Sequence, residues 1–170
     1  MQILCTLCLP RDEASVPVVR HICRDALLKL GVEDDCVSDI EIAVTEACSN
    51  VLHHAADTEA EYEVSIEIDA LECEIRIKDT GGEAFDGSDH ELSSETAESG
   101  RGIFLMNALV DELKFLSEPE AGTIVHLVKR LSVPDDAPLK ILADASTSGS
   151  ITIDTMTADG RSFDGSRPAP

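Results

Sequence analysis

Three short segments of this chain hold residue types that could do chemistry: Glu46 and Asn50 within E-A-C-S-N-V-L-H-H-A, Asp79 within D-T-G-G, and Gly100-Arg101-Gly102. A carboxylate and a carboxamide four residues apart share one side of a helix. Glu46 could then act on a substrate while the Asn50 carbonyl oxygen holds a hard cation such as Mg²⁺, which takes oxygen ligands and leaves much of its octahedron to phosphate and water. Asn competes with the backbone inside helices, so Asn50 there points to a task for its side chain. On a helical wheel Asp39, Glu46, Asn50 and His53 fall in one arc beside the apolar stripe; such an arc reads either as a solvated flank or as the lining of a site. Asp79-Thr80-Gly81-Gly82 is either a plain turn or a buried acceptor for an exocyclic amino group, with glycines that let a flat ligand approach the backbone. Gly100-Arg101-Gly102 is either a helix-start turn or a cradle of free N–H groups for phosphate.

These segments need elements to carry them. Gln2 to Leu9 reads as a strand closed by Pro10. Val18, Val19, Ile22, Cys23, Ala26, Leu27 and Leu30 recur at three and four, predicting a helix from Ser15 to Leu30 stopped by Gly31. A second helix is expected from about Asp35 to Ala55, burying Ile40, Ala43, Val44, Ala47 and Val51. Alternation over Glu61–Asp69 and Glu72–Asp79 predicts an antiparallel hairpin. Residues 86–99, nearly devoid of apolar side chains, read as an exposed loop long enough to be a lid. A short helix from Gly100 to Val110 and strands near Glu112–Ser117 and Thr123–Arg130 complete an α+β, two-layer sandwich: one mixed, mostly antiparallel sheet with helices on one face. Residues 1–131 form the expected domain. From Pro134 onward Pro, Asp, Ala, Ser, Thr and Gly dominate, so residues 132–170 read as an acidic, mostly disordered tail, with a short docked element as the alternative.

Composition limits the partners. In 170 residues, 13 Lys and Arg face 34 Asp and Glu, a formal net charge of −21. Such a field repels DNA, RNA and anionic lipid. With no Trp and one Tyr, base-stacking platforms are not expected either. No apolar run approaches the roughly 18 residues of a membrane span. The opening M-Q-I-L-C-T-L-C-L-P-R-D-E lacks the basic start and apolar core of a secretory signal, so a cytoplasmic location is expected. Six widely spaced cysteines then read as reduced thiols, most of them small core residues. Cys5 and Cys8 sit three apart in a strand and face opposite ways, against a shared metal or redox role. The chain has no P-loop, Rossmann glycine fingerprint, kinase H-R-D, nucleophile elbow or H-E-x-x-H.

Taken in order, E-A-C-S-N-V-L-H-H-A (Glu46 to Ala55), D-T-G-G (Asp79 to Gly82), G-R-G-I-F-L-M (Gly100 to Met106) and G-T-I-V (Gly122 to Val125) resemble the four nucleotide-binding boxes of the GHKL ATPase superfamily. Within it the set is most similar to the anti-sigma-factor serine kinases of the RsbW type, over about residues 2 to 131. The resemblance implies ATP and Mg²⁺ as cofactors. It implies Glu46 as general base, Asn50 as Mg²⁺ ligand, and His54 as a phosphate contact or packing residue. It further implies Asp79 with Gly81 at adenine, Gly100, Arg101 and Gly102 as the turn over the phosphates, and Thr123 near the adenine-binding aspartate. The implied function is a serine/threonine protein kinase that phosphorylates an anti-sigma antagonist protein and sequesters a sigma factor, with a homodimer as an allowed assembly. One departure stands out: Asp79 to Phe85 reads D-T-G-G-E-A-F where the family commonly has D-x-G-x-G-F-D. It keeps open a non-catalytic, nucleotide-dependent sigma-binding regulator. The detached ATPase portion of a histidine kinase is the third reading.

Overall fold

A computed structural model describes residues 1–53, 61–79, 99–118 and 122–147. The elements run β1 (Ile3–Pro10), α1 (Ser15–Lys29), α2 (Asp34–His53), β2 (Glu61–Ile68), β3 (Glu72–Asp79), α3 (Ser99–Leu109), β4 (Glu112–Glu118), β5 (Gly122–Arg130) and α4 (Pro138–Thr147). The five strands form one sheet in the order β1-β2-β3-β5-β4. All four pairings are antiparallel, which corrects the expected mixed sheet while keeping the α+β, two-layer class.

The register explains how one face becomes core. Leu7 lies opposite Val64, Val64 opposite Ile77, and Ile77 opposite Val125. Cross-strand partners share a face, so these rows run unbroken across the sheet. Tyr62, Val64, Ile66, Ile68, Cys73, Ile75, Ile77, Val125 and Leu127 are buried, whereas the alternate positions carry Glu63, Glu67, Glu74, Arg76 and Lys78.

Among the described residues, α1, α2 and α3 cover the apolar face. α2 packs against both α1 and α3 and crosses β3 and β5, while α1 lies over β1 and α3 over β4. This central position accounts for the wide stripe α2 buries: Cys36, Val37, Ile40, Ala43, Val44, Ala47, Cys48 and Val51. The flanking α1 buries the narrower set Val16, Val19, Cys23 and Leu27, and leaves Val18 exposed. Gly31 ends α1 as expected: at φ +82 it adopts the left-handed conformation that glycine takes without strain. Its N–H bonds the Leu28 carbonyl and the Val32 N–H bonds the Leu27 carbonyl, closing the last turn.

Residues 132–147 are described and do not stand apart from this body. Glu33 N–H bonds the Ser132 carbonyl, and Leu139 N–H bonds Leu30 O at 3.0 Å. Leu139 is fully buried and Ala137 nearly so. Helix α4 is thus docked beside the end of α1; residues 148–170 lie outside the described residues. No described helix is long and apolar enough to cross a membrane.

Candidate functional site

The C-terminal half of α2 is where the sequence-selected residues meet. Glu46 and Asn50 are half-buried there, one turn apart. α3 brings its first turn against them so closely that a Cβ added at Gly102 would fall 2.8 Å from Glu46 Oε2 and 3.8 Å from Asn50 Oδ1. A side chain at this position would push the tip of Glu46 aside. Gly102 itself is buried and Arg101 is exposed, so the turn presents backbone to α2 and a cation to solvent. The first turn of a helix holds N–H groups with no partner inside the helix, and its dipole favours negative charge. Oxygen donors from Glu46 and Asn50 beside such a turn suit a hard divalent cation and the phosphates that would share it.

Glu46 also borders an open cleft of about 650 Å³ between α1 and α2, whose walls include Arg20, Arg24, Glu41 and Thr45. Arg24 pairs with Glu41 across it. The carboxylate therefore lies between this cleft and the first turn of α3. Asp39, grouped with Glu46 and Asn50 on the helical wheel, has a different role: Lys129 Nζ bonds Asp39 Oδ2 at 2.7 Å and the Leu109 carbonyl at 2.6 Å, tying α2 and the end of α3 to β5.

Asp79 ends β3 with its side chain buried and turned into the helix layer, opposite Tyr62 of β2. The pairing of Lys78 with Ile124 brings Thr123, the next step along, to the level of Asp79 on the neighbouring strand. Arg11, absent from the sequence-based set, forms an ion pair with the Asp79 carboxylate. Arg11 also lines a cavity of about 420 Å³ with Ser49 and Leu52, the residues on either side of Asn50 and Val51. Asp79 and Arg11 are thus paired beside a cavity that the Asn50 stretch of α2 also borders, and Gly102 lies against that stretch. Gly100 lies in the first turn of α3. His54, Gly81 and the expected lid at 86–98 lie outside the described residues.

Tyr62, opposite Asp79, shares a buried polar contact with Ser15. Tyr62 Oη and Ser15 Oγ lie 2.6 Å apart in the interior. Burial pushes the Tyr62 phenol up to about 12, and burial likewise pushes the Cys48 thiol up to about 12. Cys73 rises well above its ordinary value through its hydrogen bond with Cys23 and through burial. Thiols held in this protonated state are packing groups, not nucleophiles. Cys5 is half-buried and Cys8 exposed on opposite faces of β1.

Residues 9–129 match the family of histidine kinase-like ATPase domains. The chain belongs to that family. Among its curated relatives, the serine-protein kinase RsbW of Bacillus velezensis is 31% identical over 135 residues, covering 73% of this chain and 83% of that protein. The RsbW of Bacillus subtilis is 29% identical over the same shares. The anti-sigma F factor of Oceanobacillus iheyensis is 30% identical over 105 residues, 58% of this chain and 72% of its own length. A crystal structure of the RsbU and RsbW domains of a Mycobacterium tuberculosis protein shares the fold, with a TM-score of 0.58 at 21% identity. That alignment covers 78% of this chain and 33% of the other, so this chain spans about a third of the larger one. Membership of an ATPase family implies that the chain binds ATP.

Proposed function

We propose that this protein is an anti-sigma factor and ATP-dependent serine/threonine kinase, which sequesters a sigma factor and phosphorylates the antagonist protein that releases it. The kinase and anti-sigma names of its relatives support this reading. The observation that carries it is the seat of Gly102 against the Glu46 carboxylate and Asn50 Oδ1, which joins two separated boxes into one oxygen-lined seam at a helix start.

In this reading Asn50 holds Mg²⁺ through Oδ1, and the N–H groups around Gly100 to Gly102, with Arg101 beside them, hold the phosphates. Bound Mg²⁺ supplies charge neutralisation to the triphosphate. Asp79, with Gly81 and Thr123 near it, accepts from the adenine amino group, and His54 lies close to the phosphates. The antagonist's serine reaches Glu46 from the α1–α2 cleft, and Glu46 takes the hydroxyl proton as that oxygen attacks the γ-phosphorus, the bond to the β,γ-bridging oxygen breaks and ADP leaves. Positioning and electrostatics do most of the work. The acidic surface complements the basic, nucleic-acid-binding face of a sigma factor; in this reading the protein works in the cytoplasm, with a homodimer as an allowed assembly.

The test is transfer of labelled phosphate from ATP with Mg²⁺ to a candidate antagonist. Glu46→Gln is expected to bind ATP normally and to lose on the order of 10²- to 10⁴-fold in transfer. Undiminished transfer removes Glu46 as the base, and nucleotide binding without transfer in the wild type makes the protein a non-catalytic regulator.

A further inference from the structure

Arg11 leaves β1 one residue beyond Pro10 and turns inward; its side chain is 1% exposed and that of Asp79 8%. Ser15 and Tyr62 complete the polar cluster at the ends of these strands, with Tyr62 directly opposite Asp79. Stability alone does not call for this pair, since buried ion pairs replaced by apolar side chains of similar volume often leave a protein as stable or more so. Its location gives it another meaning, because Asp79 is the acceptor for the nucleobase in the function proposed above.

We propose that Arg11 is a positioning residue that sets nucleobase preference by holding Asp79 as an ionised, acceptor-only carboxylate. A guanidinium stays charged at any working pH and presents its donors in a planar fork, which fixes the plane of the carboxylate it meets. An ionised carboxylate has about four acceptor sites, so pairing with Arg11 through Oδ1 is compatible with a second donor. A 6-amino group supplies that donor. A 6-oxo group sets lone pair against lone pair. Without Arg11, burial favours the neutral acid, whose O–H can donate to a 6-oxo group, and the discrimination fades.

The proposal rests on the nucleotide reading of the site, and the experiment separates the two. Calorimetry on the full chain with Mg²⁺ compares ATP, which carries the 6-amino group, with ITP, which carries 6-oxo. The wild type is expected to favour ATP, and Arg11→Met to shrink the ATP-to-ITP preference at least about tenfold, the scale of one hydrogen bond to a charged group. A merely structural Arg11 would weaken both nucleotides alike and leave their ratio unmoved. An unchanged ratio in Arg11→Met, with wild-type ATP binding intact, overturns this proposal alone. Wild-type protein that binds neither nucleotide overturns the nucleotide reading and this proposal with it. Should Arg11→Met fail to fold, Arg11→Met combined with Asp79→Asn, which leaves no lone charge buried, is compared with Asp79→Asn. Equal ratios support action through Asp79, and unequal ratios overturn it.

Discussion

Two glycines mark two junctions of this molecule, and their surroundings differ in kind. At the α2–α3 seam, a Cβ on Gly102 would meet the tip of a flexible glutamate side chain. At the α1–α4 junction, a Cβ on Gly31 would fall 2.8 Å from Ala137 Cβ, 3.0 Å from Pro138 Cδ and 3.3 Å from the Ala137 backbone, and Gly31 also has positive φ. A glutamate tip can swing aside, whereas backbone and a proline ring cannot. The first junction is therefore expected to be sensitive in chemistry and tolerant in stability. The second is the reverse.

This contrast can be attacked from both sides. The largest effect is expected from Leu139→Ala, which empties a fully buried site under α4 and should cost about 3 kcal/mol by denaturant titration. Transfer per folded molecule should not change; lost transfer would tie α4 to the site. Gly102→Ala should cost roughly 10²-fold in phosphotransfer by displacing the Glu46 carboxylate, with the melting temperature nearly unmoved. A large drop in melting temperature instead would make the seam structural. Gly31→Ala should destabilise by about 1 to 3 kcal/mol through strain and crowding, with transfer intact.

Alkali gives the smallest and most general effect. The raised values of Cys48 and Tyr62 mean that the folded protein favours their protonated forms. Their contribution is fully present below about pH 9 and is lost as the pH climbs toward about 12. The melting temperature should stay level to pH 9 and then fall. Gly31→Ala should fall by the same amount, because its junction involves neither group; a steeper fall would join the two regions.

Most of this architecture could be read from spacing alone. Residues Val19, Cys23 and Leu27 announce α1, Gly31 its end, and the alternation of Val64, Ile66 and Ile68 the hairpin. Periodic burial leaves a periodic trace. The sequence also singled out Glu46, Asn50 and Gly102, which the fold brings together. Residues joined only by register left no such trace. Arg11 and Asp79 are 68 positions apart and meet because Leu9 lies opposite Tyr62 and Tyr62 opposite Asp79. Asp39 looked like part of a functional arc because a helical wheel does not show Lys129 approaching from β5. α4 was read only as an alternative to disorder, with Ile141 and Leu142 as anchors; Ala137 and Leu139 are buried instead and Ile141 and Leu142 face solvent, a choice of face that so short an apolar run does not announce.

The bond from Lys129 to the Leu109 carbonyl also has an electrostatic consequence. The last carbonyls of a helix have no partner inside it, and the negative end of the dipole favours a cation there. Lys129 therefore caps α3 from the sheet, so a charge borne on β5 helps to hold the helix whose opposite end carries Gly102.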